Sequence, residues 1–187
     1  FIVKTGFKKV IIGAVDPNPK VAGQGIKILE DNNIKVDIGS FDTLVENQNK
    51  FFFYKHKNNK PYITVKIASS FDGMSHINHE RVFITSESSR NDVQKIRANH
   101  DAILTGGNTL RNDDPKMDAR VDFPVNQAKK ILLTSKPYDN KLDFFNNASV
   151  DVFGINDLNE IINSYQDSEI CSILVEAGPS LVNAFLK

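Results

Sequence analysis

The stretch Ile170-Cys171-Ser172-Ile173-Leu174-Val175-Glu176-Ala177-Gly178-Pro179-Ser180 decides the fold class. Its first half shows no polar alternation, which suits a parallel strand buried on both faces. Gly178 ends the strand, and Pro179 suits the first helical position, where a missing N–H costs nothing. A helix therefore opens at the carboxyl end of a buried strand, the edge at which ligands of open α/β sheets collect. Glu176 stands at the strand tip, a carboxylate beside that turn. Cys171 lies inside the apolar run and is expected to be a buried, inert thiol.

Outward from this stretch, strand-like and helix-like segments alternate back to Pro61. Strands are expected at 62–69, 102–105, 130–134, 150–153 and 170–175. Helices are expected at 87–99, 108–112, 157–165 and from 180 onward. Such alternation argues an α/β domain with a largely parallel sheet. Ser86 and Glu87 signal a helix start, as N-cap and as first-turn acid, and Val93 and Ile96 supply its apolar stripe.

The first part of the chain has β-α-β order of its own. Lys9 to Val15 is nearly all apolar and suits a strand buried on both faces; it ends at Asp16-Pro17-Asn18-Pro19, where two prolines remove donors. Gln24 to Asn32 is expected to be a helix and Ile34 to Ile38 a second strand. Phe41 to Tyr54 follows as a mostly helical connector. The basic, amide-rich stretch His56 to Lys60 before Pro61 marks a domain boundary. We therefore expect a unit at 1–49, a linker at 50–60 and a second domain at 61–187. Phe1-Ile2-Val3 resembles the end of an apolar helix, and Ser180 to Lys187 a helix without a terminal cap, so a fragment of a longer polypeptide is expected.

Composition narrows the function. The 187 residues hold 23 basic and 23 acidic side chains, so no net field draws the chain to nucleic acid or an anionic membrane. Apolar runs fall far short of the ~20 residues that span a bilayer, and a soluble, cytoplasmic protein is expected. The single cysteine excludes an internal disulfide and every CxxC motif. His79-Glu80 starts like a zinc-protease helix, but Phe83 occupies the position of the second histidine. Gly23-Gln24-Gly25 likewise begins a dinucleotide fingerprint, but it follows a proline loop and has Ile28 in sixth place.

Three places could carry chemistry. Lys66 is a cation in mid-strand on the semi-polar face shared with Tyr62, Thr64 and Ala68. It is a solvated edge charge if that face meets water and a donor to a substrate oxygen if it lines a cleft. Ile103-Leu104-Thr105-Gly106-Gly107-Asn108-Thr109 runs from a strand through two glycines into a helix start, which suits close approach of an anionic ligand or a plain turn. Asp113-Asp114-Pro115 places two acids at a helix end, where the dipole disfavours them and a functional reason gains weight.

Taken together, several segments resemble the bifunctional deaminase and reductase family of riboflavin biosynthesis. The matching pieces are Asp16-Pro17-Asn18-Pro19 with Val21 to Gly25, Lys66 to Gly73, Ile84-Thr85-Ser86, Arg90 through Arg97, Asp101 to Leu104, Thr109 to Pro115, and Val175 to Pro179. They keep order and approximate spacing over nearly the whole chain. The resemblance implies a dihydrofolate-reductase-like domain from about residue 61, preceded by the C-terminal part of a cytidine-deaminase-like domain. The deaminase's zinc ligands and catalytic glutamate lie upstream of the Asp-Pro-Asn-Pro turn in that family, so zinc is expected only outside this chain.

The family reaction uses NADPH to reduce the ribosyl group of a phosphorylated aminopyrimidine to a ribityl chain. The resemblance implies that Lys66, Asp113 and Glu176 surround the ribose and orient or protonate it. It assigns Arg97 and Arg120 to the substrate phosphate, with Met117 as a further substrate contact. For the cofactor it implies Ala68, Phe83, Thr109, Asp113, Ser135 and the Gly178-Pro179-Ser180 turn. Where many relatives carry Gly-Glu-Ser-X-Trp, this chain has His79-Glu80-Arg81-Val82-Phe83, so Arg81 replaces a small hydroxyl residue. The expected partner is a small phosphorylated ribosylaminopyrimidine, without nucleic acid or membrane, and a homo-oligomer is expected. A noncatalytic nucleotide-binding module and a pterin reductase of the same fold are the alternatives; a pterin has no phosphate for Arg97 and Arg120 to hold.

Overall fold

The computed structural model describes residues 1–75, 83–154 and 158–186. His76, His79 and Arg81 lie outside the described residues. The chain divides into two compact units, Phe1–Lys60 and Pro61–Lys187.

In the first unit, β1 (Lys9–Ile12) and β2 (Lys35–Ile38) pair in parallel across α1 (Gln24–Asp31). Phe1 to Val3 enters a 3-10 turn, Ile2–Thr5, instead of closing an α-helix. The Asp16-Pro17-Asn18-Pro19 turn is held locally: Asp16 Oδ1 accepts the Asn18 N–H at 2.8 Å, and the Asn18 carbonyl caps the next turn through Val21 and Ala22. β1 stops at Ile12, short of Val15, and it is not buried on both faces, since Ile11 is 59% exposed. Two strands within this unit give no second layer to cover both faces. The helical connector is confirmed as α2 (Asp42–Gln48) and α3 (Lys50–Asn58). The expected linker at 50–60 is thus mostly helix; Phe53 and Lys55 are buried on it, and Asn59 ends it at φ 52°.

The second unit is a five-stranded, all-parallel sheet in the order β3 (Tyr62–Lys66), β7 (Ser172–Glu176), β4 (Ala102–Gly106), β5 (Lys129–Leu133), β6 (Val150–Phe153). The connecting helices are α4 (Glu87–Ala98), α5 (Gly107–Asp113) and α6 (Leu158–Asn163), and α7 (Pro179–Phe185) follows the last strand. Ser86 caps α4 as its sequence predicts, accepting the Ser89 N–H at 3.2 Å. β3 ends at Lys66 instead of Ser69, because the chain turns there and Ser70 closes a local turn with Met74.

Burial of the central strands follows from their position. All five residues of β7 and four of the five in β4 and in β5 are buried. Alternate residues feed two cores. Leu104, Ile131, Ile173 and Val175 meet Ile161 and Tyr165 on one face, while Ile103, Leu132 and Leu174 meet Leu110, Met117 and Phe144 on the other. Each such side chain contributes about 1.5–3 kcal/mol on burial, which fixes the register of the strands whose ends carry the polar groups. Cys171 departs from expectation: it precedes β7, is only half-buried, and gives its N–H to the Asp101 carboxylate at 2.9 Å. That carboxylate also takes the Ser172 N–H and hydroxyl, so the entry to β7 is a polar anchor.

Candidate functional site

The chain fills β4, β5 and β6 outward and then returns to insert β7 between β3 and β4. Strand order reverses there, and the carboxyl ends of β3, β7 and β4 form the edge at which open sheets hold ligands. Parallel register sets Lys66 directly beside Glu176, although 110 positions separate them. Thr105 ties the neighbouring strand end to the same point, its hydroxyl donating to the Glu176 carbonyl at 2.7 Å.

Glu176 is only 6% exposed and ionic on both oxygens. Arg97, near the end of α4, donates from Nε to Oε1 at 2.6 Å and from Nη2 to Oε2 at 3.0 Å. Lys66 Nζ approaches Oε2 at 3.4 Å. Burial pushes the Glu176 carboxyl up, but Arg97 and Lys66 outweigh it and hold the group below the ordinary carboxylate range. Glu176 is therefore an anion at neutral pH and accepts hydrogen bonds without donating one. Lys66, with 29% of its side chain exposed, is the member of the cluster that reaches solvent. Lys66 is thus a partly exposed cation on the edge strand β3, paired with a buried acid.

Three of the five Arg97 N–H groups are engaged within the protein, two by Glu176 and one by the Asp118 carbonyl at 3.2 Å. Arg120 is exposed, with its backbone N–H held by the Gln94 side chain at 3.1 Å. Met117 is buried in the core at φ 49°, facing Leu132 and Phe144. It packs as a core residue in this structure.

Asp113 closes α5 and is half-buried at the end of the helix that follows β4. The structure brings Lys66, Arg97 and Glu176 into direct contact, while Asp113 comes from the helix that follows the neighbouring strand. Asp114 has a structural use: at φ 37° its carboxylate accepts the N–H groups of Asp143 and Phe144 at 3.2 and 3.3 Å. The two acids at the helix end are therefore not both available for chemistry.

The glycines of the two turns have opposite explanations. A Cβ on Gly107 would run into the Thr134 side chain and lie 2.9 Å from Arg111 Nη1, and one on Gly106 would press on Leu181 at 3.3 Å. That pair is closely packed within the protein. A Cβ on Gly178 would meet nothing within 4 Å, and Gly178, Pro179 and Ser180 are all exposed. Ser135 is exposed beyond β5, and Thr109 and Ala68 are half-buried. Phe83 is 69% exposed, with the Arg90 guanidinium 4.5 Å from its ring centroid. Among the described residues, no group of three or more His, Cys, Asp or Glu side chains could hold a metal ion, and no helix is long and apolar enough to cross a membrane.

Sequence reasoning missed Lys130 and Asp118. Lys130 is 1% exposed and gives its ammonium to the carbonyls of Phe144 and Asn146 at 2.8 and 2.7 Å. Its Nζ also lies 3.1 Å from Asp118 Oδ1. β5 is buried on both faces, and Lys130 lies on the face of Leu132, whose core includes Phe144.

Comparison with known proteins agrees with this architecture. The chain is 31% identical over its whole length to the riboflavin biosynthesis protein RibD of Buchnera aphidicola, covering 60% of that protein. A solved Acinetobacter baumannii RibD matches 99% of the chain and 59% of its own length, with TM-score 0.92 and 31% identity. A Thermotoga maritima diaminohydroxyphosphoribosylaminopyrimidine deaminase/5-amino-6-(5-phosphoribosylamino)uracil reductase matches 99% of the chain and 58% of its own, with TM-score 0.80 and 26% identity. The chain thus spans about three-fifths of these relatives. The profile of the RibD C-terminal domain covers residues 61–187, the same span as the five-stranded unit, and the chain belongs to the RibD C-terminal domain family.

Proposed function

We propose that the Pro61–Lys187 unit reduces the ribosyl group of 5-amino-6-(5-phosphoribosylamino)uracil, the substrate for which the Thermotoga reductase is named, to the ribityl product. The observation that carries the reading is the ionised, buried Glu176 paired with solvent-reaching Lys66 at the reversal of strand order. Reduction opens the sugar ring: a hydride adds to the anomeric carbon, the bond from that carbon to the ring oxygen breaks, and the ring oxygen takes a proton. Glu176, fully ionised, cannot supply that proton; it accepts hydrogen bonds from sugar hydroxyls and fixes the ring. The Lys66 ammonium is the reachable acid and the proton donor. Asp113 orients the ribose from the end of α5, and Arg120 holds the phosphate, joined by the two N–H groups that Arg97 has left. Such charge-assisted contacts contribute about 1.5–3 kcal/mol each.

The residues assigned to NADPH fit a dinucleotide phosphate. The Gly178–Ser180 turn offers exposed backbone with open space beside it, Ser135 and Ser180 offer exposed hydroxyls, and Phe83 offers a ring face for stacking. When bound, NADPH supplies the hydride. The chain's own part is to orient the sugar and deliver the proton. We further assign residues 1–49 to the end of a deaminase domain, whose zinc chemistry belongs to a preceding segment of the complete protein, and we expect a cytoplasmic homo-oligomer.

The test is NADPH consumption by the complete protein with the ribosylaminopyrimidine phosphate, against Glu176→Gln and Lys66→Ala. Turnover dependent on that substrate and reduced about a hundredfold in each variant supports the assignment. Unchanged turnover in the double variant overturns the site. NADPH binding without product under any substrate indicates a noncatalytic nucleotide module.

A further inference from the structure

We propose that Lys130 and Asp118 are positioning residues: a sealed ion pair that holds the loop between α5 and β5 so that the Asp118 carbonyl aims Arg97 at Glu176. The links are continuous. The Lys130 ammonium binds the turn at Phe144 and Asn146 and faces Asp118 Oδ1 at 3.1 Å. Asp118 Oδ2 accepts from Asn147 Nδ2 at 3.1 Å, and the Asp118 backbone carbonyl accepts from Arg97 Nη1. Arg97 then grips Glu176 through its two remaining nitrogens.

Two features separate this arrangement from ordinary core packing. Asp118 Oδ1 is buried and accepts no well-formed hydrogen bond, so the Lys130 charge is what satisfies it. A lysine placed on the apolar face of a central strand costs several kcal/mol of desolvation, which a hydrophobic residue there would avoid. The loop it restrains turns through two non-glycine residues at positive φ, Asp114 and Met117. Gln127 adds a second tie, exchanging two hydrogen bonds with the Ala119 backbone at 2.8 and 3.0 Å. Without the ion pair the Asp118 carbonyl is free to drift, Arg97 loses its third anchor, and its bidentate grip on Glu176, the Nε–H bond included, opens more often.

The direct readout is solvent exchange of the Arg97 Nε–H, followed by nitrogen-15 NMR in the complete protein. Asp118→Asn, which preserves side-chain shape, is expected to accelerate that exchange at least tenfold while the backbone amides of β5 and α4 stay protected. Asn147→Gly removes one support of Asp118 at a residue whose φ of 66° glycine accepts, and is expected to accelerate it about threefold. Folded variants with unchanged Arg97 exchange overturn the proposal. So does acceleration shared by the backbone amides, which marks general loosening. A kinetic arm rests on the reductase reading: the KM for the phosphorylated substrate is expected to rise about tenfold and the KM for NADPH to stay within twofold. Should the wild-type protein show no reductase turnover, that reading fails while the exchange measurement still decides the role of the pair.

Discussion

Two of the ionic clusters in the five-stranded unit differ in what surrounds them. The Lys66–Arg97–Glu176 cluster stands at the carboxyl edge of the sheet, with Lys66 reaching solvent. The Lys130–Asp118 cluster lies under the opposite end of its strand against Phe144, with the ammonium removed from water. Both have a carboxylate at a short distance from a cation, yet only the first offers a surface to a ligand. Where a charged group sits at a sheet edge beside a reversal of strand order, its neighbours can exchange protein partners for substrate. Where it sits on an inward strand face, it can only restrain the chain.

The largest expected effect follows from that contrast and concerns stability. Lys130→Met strips a donor from three acceptors at once, the carbonyls of Phe144 and Asn146 and the Asp118 carboxylate, and should cost about 3–5 kcal/mol. Glu176→Gln removes a charge whose partners can still hydrate and whose amide can still accept from Arg97, and should cost about 1–2 kcal/mol. Denaturant unfolding of the two variants of the complete protein checks this order. Equal losses would show that the edge cluster is as sealed as the inner one, and would remove its claim to be a binding surface.

The two turns at the same edge sharpen the comparison with a smaller effect. Gly107→Ala forces a methyl group against Thr134 and Arg111, an overpacking that should cost about 1–3 kcal/mol. Gly178→Ala meets open space at an ordinary φ of −68°, so stability should change by less than about 0.5 kcal/mol. If the turn beside Gly178 seats NADPH, the second variant should nonetheless raise the KM for NADPH severalfold. Thermal unfolding together with NADPH titration separates the two glycines, one kept for the protein and the other for the ligand.

The sequence carried the element order because the signals involved are local. Ser86 capping α4, Pro179 opening α7 and the unbroken apolar runs of β4 and β7 are each visible within a few residues. Lys66 and Glu176 were visible as charged residues on strands, but their pairing depends on β7 inserting beside β3, which no local pattern encodes. The same non-local placement brings Arg97 against Glu176. β1 failed in a different way. Its run of apolar residues matched a buried strand, but burial is decided by what covers the sheet, and Ile11 remains exposed within its two-stranded unit. Lys130 escaped notice because a lysine beside an apolar run usually marks a strand end in water; the carbonyls that bind it come from a turn 14 to 16 residues later.

The smallest effect is the acid dependence of stability, and it tests whether Glu176 is ionised as the mechanism needs. A carboxyl held below its unfolded value contributes stability that is fully present above the unfolded value and is lost as pH falls through the folded one. Glu176 belongs to this class, because Arg97 and Lys66 overcome the effect of burial. Asp151 does too: burial raises it, but Lys129 and the Tyr165 hydroxyl, which donates at 2.7 Å, lower it further. Wild-type stability should therefore be level above about pH 5 and decline below about pH 4, the range of ordinary carboxylates. Glu176→Gln should flatten part of that decline and leave the share due to Asp151, while Asp151→Asn should do the reverse. A decline unaltered by Glu176→Gln would mean that the group titrates alike in the folded and unfolded protein, and would remove the claim that Arg97 and Lys66 hold it ionised.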